Sequence, residues 1–165
     1  MDWKRIARHL WIGAPERRSR FPAATLDRIT AAVADAEKRH HGEIRFAVEA
    51  SLRLGPLWRG MTARQRAIEA FAALGVWDTE ANSGVLIYLL LADRDVEIVA
   101  DRGVHAKVGA EGWEAICKTM EAEFRAGRFE AGILAGIAAV SRHLEVHFPR
   151  RGDDVNELPD RPVLL

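Results

Sequence analysis

The chain has 165 residues, about the size of one domain, which is long enough to bury a hydrophobic core without disulfides. Its 24 basic residues balance 24 acidic ones, which argues against a surface built as a whole for nucleic acid or anionic lipid, although local patches stay open. The single cysteine, Cys117, excludes an internal disulfide and a multi-cysteine metal cage. With neither a signal-peptide pattern nor an apolar run of membrane-spanning length, the sequence predicts a soluble cytoplasmic protein.

Residues 1–20 are predicted to form a short amphipathic helix followed by a linker. Apolar residues recur at helical spacing, with basic residues between them. We favour packing of this helix on its own domain or on a second subunit, because ~10 residues is short for an independent membrane anchor. A contact with a membrane surface is the alternative, since tryptophans and basic residues occur together. The apolar residues are Trp3, Ile6, Ala7, Leu10 and Trp11.

The main domain is predicted over residues 21–149 and begins with a helix at 22–41 and a strand at 43–50. Residues 52–61 are predicted to be a loop that folds back over the core, and the alternative is that its Leu57 and Trp58 offer an aromatic contact surface. A capping box formed by Thr62 and Gln65 starts a second helix, which Gly75 ends. Because a strand, a crossover helix and a further strand form a βαβ unit, the two strands are expected to run parallel.

A β-hairpin over residues 84–103 is the centre of the predicted fold. Residues 84–91 are apolar on both faces, which is typical of a strand buried on both sides, and such a strand needs helices on both faces of its sheet. The segment 93–95 reads as an ordinary polar turn, and 96–100 alternates as a half-exposed antiparallel strand does. The sequence therefore predicts a three-layer α/β/α sandwich.

Two helices and a tail complete the prediction. Residues 104–110 are interpreted as a connector, and helices follow over 113–124 and 133–144. Cys117 is expected to face the core as a small hydrophobe rather than act as a nucleophile. Residues 150–165 are predicted to be an extended tail whose leucines could dock on a groove.

Polar residues are predicted to gather at the rim where the central strand starts. The antiparallel hairpin returns Asp101 to the level of Ser83, and the parallel partner strand brings Glu43 to the same rim. Asp78 and Asn82 lie in the loop that leads into the central strand. Carboxylate and amide oxygens suit Ca²⁺ or Mg²⁺, so Glu43, Asp78 and Asp101 are candidate metal ligands, with Asn82 and Ser83 nearby.

The alternative interpretation of this rim is a salt bridge or a strand-end cap that involves Arg45 or Arg102. The sequence contains no Gly-rich phosphate loop, nucleophile elbow, zinc-protease helix or EF-hand loop, so no nucleotide cofactor is expected and no catalytic residue can be named. His105 is the only histidine near the rim and is predicted to be an exposed loop residue.

Four segments resemble the TPM domain family. They are WDTE at 77–80, GVLIY at 84–88, ADRDVEIVADRG at 92–103 and NELPD at 156–160, and the similarity covers residues 21–149 plus part of the tail. The family includes thylakoid-lumen proteins linked to photosystem II repair, a membrane-anchored modulator of acetylcholine receptors and many bacterial proteins. This chain resembles a small cytoplasmic bacterial branch.

The resemblance implies a Rossmann-like α/β/α sandwich, Ca²⁺ binding as in some members, and acid phosphatase activity as in plant members. Ser83 stands where the family pattern has asparagine, with Asn82 one position earlier. The first hypothesis is a module that binds an unknown protein partner, and a divalent cation through the rim. The alternatives are a weak metal-assisted acid phosphatase, and an adaptor that uses the N-terminal helix to form a homodimer or to contact a membrane surface.

Overall fold

A four-stranded mixed sheet lies between two layers of helices in the computed structural model, which describes residues 2–150, 152 and 155–165. Across the sheet the strand order is β3-β2-β1-β4. β1 pairs in parallel with β2 and with β4, and β2 pairs with β3 antiparallel, which confirms the predicted βαβ unit and hairpin. The strands are β1 (Glu43–Glu49), β2 (Gly84–Leu90), β3 (Asp95–Ala100) and β4 (Val163–Leu164).

Seven helices occur within the described residues, and none of them is long and apolar enough to cross a membrane. They are α1 (Trp3–Trp11), α2 (Ala14–Arg20), α3 (Ala23–Glu37), α4 (Leu54–Trp58), α5 (Ala63–Ala73), α6 (Arg102–Arg125) and α7 (Phe129–His147).

One face of the sheet packs against α3, α6 and α7. Successive side chains of a strand point to opposite faces, so the odd-numbered apolar residues of β2 and the even-numbered ones of β1 lie on this side. They form one core cluster with the apolar stripes of the three helices. Its fully buried members include Phe46, Ile87, Ile29, Met120, Phe124 and Ile137.

The other face packs against α1, α4, α5 and the C-terminal tail. Leu86, Tyr88 and Leu90 of β2 form the centre of this second cluster, and Ala67 of α5 packs on them. β2 is thus buried along its whole length on both faces, as its uninterrupted apolar sequence predicts. The three-layer α/β/α sandwich is confirmed.

The predicted connector at 104–110 is wrong, because α6 begins at Arg102. Asp101 caps that helix and Val104 is fully buried, so the chain turns helical directly after β3. The helix kinks at Gly109, whose φ of 75° lies in the left-handed region. Likewise, the predicted loop at 52–61 contains the short helix α4, and the predicted linker after α1 contains α2.

The tail extends the sheet rather than merely docking on a groove. Val163 and Leu164 pair in parallel with Ala47 and Val48, and the Leu165 N–H donates to the carbonyl of Val48 over 3.0 Å. Arg17 of α2 donates in turn to the Leu165 carbonyl over 2.5 Å. The two ends of the chain therefore meet at the edge of the sheet that β4 forms.

Candidate functional site

The loop before β2 is held by a compact set of hydrogen bonds. The buried hydroxyl of Thr79 accepts from the Ser83 N–H over 3.0 Å, and the Thr79 carbonyl accepts from the Asn82 N–H over 3.2 Å. Asn82 has a φ of 51°, a left-handed conformation that asparagine tolerates better than most residues. The Ser83 hydroxyl donates to the His41 carbonyl over 3.3 Å, so the loop is tied to the start of β1 as well.

Two glycines let this loop approach its neighbours closely. A Cβ on Gly84 would overlap the Val76 carbonyl, and one on Gly103 would lie 2.5 Å from the Asn82 carbonyl oxygen and 3.3 Å from that of Ala81. Only glycine fits such contacts without moving the backbone. The carbonyl oxygens of Ala81 and Asn82 therefore lie against the first turn of α6.

Asp101 joins β3 to α6 at this rim. Its N–H donates to the Gly84 carbonyl over 2.8 Å, as the predicted hairpin register requires. Its carboxylate Oδ1 accepts from the Arg102 N–H over 2.6 Å and so caps the helix. The side chain is 8% exposed, and Oδ2 is buried and accepts no hydrogen bond from the described residues. A buried carboxylate oxygen without a hydrogen-bond donor is normally paired with a water molecule, a proton or a cation.

Glu43 reaches the same rim through its backbone but is engaged by the tail. Its N–H donates to the Ser83 carbonyl over 3.3 Å, and its Cα is paired with that of Gly84. Its two carboxylate oxygens accept from the N–H groups of Glu157 and Leu158, each over 3.1 Å. The buried carboxylate of Glu43 thus holds the C-terminal tail in place.

Glu37, at the end of α3, adds a second buried carboxyl group beside Glu43. Its Oε1 accepts from the Ile44 N–H over 2.8 Å. Burial raises the pKa of Glu37 to about 9, helped by the negative charges of Glu43 and Asp160 and opposed by the hydrogen bond from Ile44. Glu37 is therefore protonated at neutral pH, and its Oε2 is buried without a hydrogen-bond partner among the described residues.

The structure brings some of the predicted ligands together and separates others. Asp101 and the loop of Asn82 and Ser83 meet as expected, whereas Asp78 is exposed and Glu43 binds the tail. Within residues 2–150, 152 and 155–165, no three His, Cys, Asp or Glu side chains are gathered so that they could hold a metal ion. Any cation at this rim must therefore use backbone carbonyl oxygens and water beside Asp101.

The sequence prediction missed the ion pairs around Asp93 at the opposite end of the hairpin. Asp93, expected to be an ordinary turn residue, accepts from Arg5 over 2.8 and 2.9 Å and from Arg8 over 3.2 Å. His9 also contacts it over 3.2 Å through Nε2. The basic residues between the tryptophans of α1 were the available signal, but nothing local in the sequence links them to residue 93.

The tautomer of His9 follows from its second contact. Its Nδ1 accepts from the Leu52 N–H over 3.0 Å, so the ring proton is on Nε2 and donates to Asp93. Burial disfavours the ionised carboxylate, but the hydrogen bonds from His9 and Arg5 outweigh burial and hold the pKa of Asp93 well below its usual range. Asp93 therefore anchors α1 to the hairpin turn.

Cys117 and His105 are the remaining side chains with a possible role in chemistry. Burial raises the pKa of the Cys117 thiol to about 12, and the side chain packs against the core, as expected for a residue that is not a nucleophile. His105 is exposed, as predicted, but it lies on α6 one turn after Asp101 rather than in a loop.

Comparisons with known proteins agree with this fold. The chain is similar to the BA42 protein of the psychrophilic bacterium Bizionia argentinensis, whose NMR structure is 29% identical and superposes with a TM-score of 0.77, covering 88% of this chain and 95% of that one. It is also similar in fold to the N-terminal domain of a P. gingivalis protein, at 18% identity and a TM-score of 0.62, covering 79% and 82% of the two chains.

No curated protein matched the chain. The family model described as the TPM domain matches residues 18–143, which include α3, all of β1 to β3, and most of α7. That match contains the rim around Asp101 and the hairpin turn at Asp93. The chain therefore belongs to the TPM domain family.

Proposed function

We propose that this TPM domain is a partner-binding module whose rim binds a divalent cation, Ca²⁺ or Mg²⁺, at Asp101. The observation that supports the cation is the buried Asp101 Oδ2, which accepts no hydrogen bond from the described residues. The carbonyl oxygens of Ala81 and Asn82 lie against Gly103, two residues further along the chain. Ca²⁺ takes carboxylate, carbonyl, amide and water oxygens together, so this set of donors fits it.

The roles of the candidate ligands differ. Asp101 supplies the carboxylate, held in place because its other oxygen caps α6. Asn82, with its left-handed backbone, supplies a carbonyl and a side-chain amide, and exposed Asp78 is free to contribute through water. Glu43 is better assigned to the tail, because both of its oxygens already accept backbone hydrogen bonds.

Thermal unfolding of the metal-stripped protein tests the proposal. A cation at ~100 times its dissociation constant stabilises by about 2.7 kcal/mol, which raises the midpoint of a domain of this size by about 5 to 10 °C. Asp101→Asn should abolish that shift without removing the helix cap, because asparagine caps helices as well as aspartate does.

The matched control is Asp2→Asn, since Asp2 caps α1 with the same side chain far from the rim and accepts from the Lys4 and Arg5 N–H groups. This variant should keep the full cation-dependent shift. If neither millimolar Ca²⁺ nor Mg²⁺ moves the midpoint, or if Asp101→Asn shifts as much as Asp2→Asn, the cation site is wrong.

A metal-assisted phosphatase is the second candidate function, favoured by the position of His105 and by the word phosphatase in the name of the matching family model. The His105 N–H donates to the Asp101 carbonyl over 2.8 Å, so its exposed imidazole lies on the turn that follows the proposed ligand. A bound cation supplies polarisation of a phosphoryl oxygen. His105 is in a position to act as the general base that takes a proton from the attacking water, or as the general acid that gives one to the leaving oxygen.

Hydrolysis of p-nitrophenyl phosphate in the presence of Ca²⁺ or Mg²⁺ tests this candidate. His105→Ala should lower the rate by 10²-fold or more, as expected for loss of a general acid or base. His147→Ala is the control, because His147 is an exposed histidine in the last turn of α7. Equal rates in the two variants, or a rate no higher than that of the metal salt alone, would exclude the phosphatase.

A further inference from the structure

The N-terminal helix α1 packs on the domain with its apolar side facing outward. The side chains that face the domain are Arg5, Ile6 and His9, and two of these three are polar. The outward side chains include Trp3, which is 64% exposed, Leu10 at 66% and Trp11 at 91%. An amphipathic helix on a globular protein normally buries its apolar face, so this arrangement is the reverse of the usual one.

The exposed apolar surface continues from α1 onto α4. The Trp3 and Trp58 rings meet edge to face with their centroids 5.8 Å apart, and Trp58 remains 58% exposed. Leu54, one turn earlier on α4, is 57% exposed. Together these residues form the tryptophan patch: Trp3, Leu10, Trp11, Leu54 and Trp58. A group of large exposed apolar side chains on two adjoining helices marks an interaction site.

Basic residues surround the tryptophan patch. Lys4 lies beside Trp3 on α1, and Arg53 and Arg59 flank the two ends of α4. All three are exposed, and none forms an ion pair with another described residue. Three acidic groups lie nearby. Asp93 binds Arg5 and Arg8 of α1, Asp2 accepts hydrogen bonds from the N–H groups that it caps, and Glu69, which lines a groove with Arg59, pairs with Arg66. The patch is thus apolar in its centre and positively charged at its margin.

We propose that the tryptophan patch docks this domain on an anionic lipid bilayer. Tryptophan and leucine side chains flanked by lysine and arginine are the composition of helices that lie in the headgroup region of such a bilayer. A second copy fits less well, since a two-fold contact pairs the patch with itself and so brings two positively charged margins together. A nucleic acid offers anionic charge but no apolar layer for the leucines.

The domain already holds the docking surface in place before it binds. The shortness of α1 argued from the sequence against an independent membrane anchor, but the structure fixes α1 on the hairpin turn through Asp93 and adds the side chains of α4. Binding therefore carries little cost of ordering a segment. The tryptophan patch lies at the opposite end of the hairpin from the proposed cation site and uses none of its residues.

Vesicle co-sedimentation tests the proposal with two lipid compositions, phosphatidylcholine alone and phosphatidylcholine mixed with phosphatidylserine. The full chain should bind the mixed vesicles, bind phosphatidylcholine weakly, and dissociate as salt is raised. Lys4→Gln and Arg59→Gln should each lower the partition coefficient about fivefold, since a basic residue near the surface contributes about 1 kcal/mol. Trp11→Ala should lower it at least about tenfold, because a large ring leaves the bilayer.

The controls use the same residue types elsewhere on the chain. Trp77→Ala removes a tryptophan that is 55% exposed in the loop before β2, and Lys107→Gln removes an exposed charge on α6. Both should bind mixed vesicles as the unmodified chain does, and circular dichroism should show all variants folded. Absence of binding to mixed vesicles, or equal binding by Trp11→Ala and Trp77→Ala, overturns the proposal. A doubled mass in light scattering that Trp11→Ala halves, without vesicle binding, overturns it in favour of a dimer.

Discussion

The two ends of the β2–β3 hairpin both use a carboxylate to hold a terminal segment of the chain, but they do so with different donors. At the turn, Asp93 receives two arginines and a histidine from α1. At the other end, Glu43 receives two backbone N–H groups from the tail, with the protonated Glu37 and Asp160 close by. One end has an excess of positive charge and the other an excess of carboxyl groups.

The pKa values of Asp93 and Glu37 shift in opposite directions, because hydrogen bonds from His9 and Arg5 outweigh burial at Asp93 whereas burial dominates at Glu37. The pKa of Asp93 lies well below its usual range, whereas that of Glu37 is raised to about 9. A carboxyl with a lowered folded pKa adds stability above its unfolded pKa and loses it in acid. One with a raised folded pKa adds stability below its unfolded pKa and loses it as the pH rises. The N-terminal anchor is therefore acid-sensitive and the C-terminal anchor alkali-sensitive.

The largest effect is expected from Asp93→Asn, which leaves Arg5 and Arg8 without their counter-charge. Removing one partner of a largely buried ion pair costs about 3 kcal/mol in the free energy of unfolding at pH 7. The loss should shrink below about pH 4, where aspartate in the unfolded chain takes up its proton. Urea unfolding measures the change, and hydrogen exchange of the α1 amides shows whether the helix detaches.

Asp35→Asn is the control for this variant, because Asp35 also pairs with an arginine but lies exposed on α3. Exposed pairs contribute little, so its unfolding curve should stay close to that of the unmodified chain. Equal destabilisation by Asp93→Asn and Asp35→Asn would show that Asp93 is not an anchor.

Glu37→Gln tests the opposite end and should be stabilising. The amide keeps an acceptor for Ile44 but cannot ionise. The free energy of unfolding of the unmodified chain should fall as the pH rises from about 4.5 towards 9. At pH 7 the loss is on the order of 2 to 3 kcal/mol, and the variant should not show it. Melting temperatures measured from pH 5 to 9 test this. The control is Glu111→Gln, an exposed change on α6, which should keep the pH dependence of the unmodified chain.

Glu43→Gln should loosen the tail with a smaller effect. The amide group has one acceptor oxygen where the carboxylate has two, so one of the hydrogen bonds from Glu157 and Leu158 is lost. A hydrogen bond to a charged group contributes about 2 kcal/mol. Faster hydrogen exchange at the tail amides, with the α1 amides unchanged, would show that the two anchors act separately. Faster exchange at both ends would contradict that separation.

Asp2→Ala gives the smallest expected change and tests how much the cap of α1 contributes to the N-terminal anchor. The variant removes the acceptor for the Lys4 and Arg5 N–H groups and should cost about 1 kcal/mol. The loss should appear as fraying of the first turn of α1, because Arg8 and His9 still bind Asp93. Nuclear magnetic resonance of the α1 amides can test this. Release of the whole helix would mean that the cap, and not Asp93, holds it.

Local pattern predicted most elements of the fold, since burial on both faces of residues 84–91 requires two helical layers. It also placed Asp101 beside the loop of Asn82 and Ser83, because strand register follows from the hairpin turn and from the parallel pairing. The helical start of α6 was missed because Asp101 reads equally well as a strand end and as a helix cap.

The sequence could not predict the roles of Asp93 and Glu43 for a different reason. Their partners are some 85 and 115 positions away, and no periodicity connects a turn or a strand start with the distant ends of a chain. The outward orientation of the apolar face of α1 could not be predicted either, because amphipathic spacing shows that a helix has an apolar face but not which way that face points.

The sequence by itself determined the order and type of the central elements, the layers around β2 and the family, because these depend on short-range patterns of apolar and polar residues. Only the tertiary structure decided which carboxylates are anchors, which oxygen of Asp101 is buried without a hydrogen bond from the described residues, and which tryptophans face outward. Those properties depend on desolvation and on contacts between segments that are distant along the chain, and such contacts form only when the chain folds.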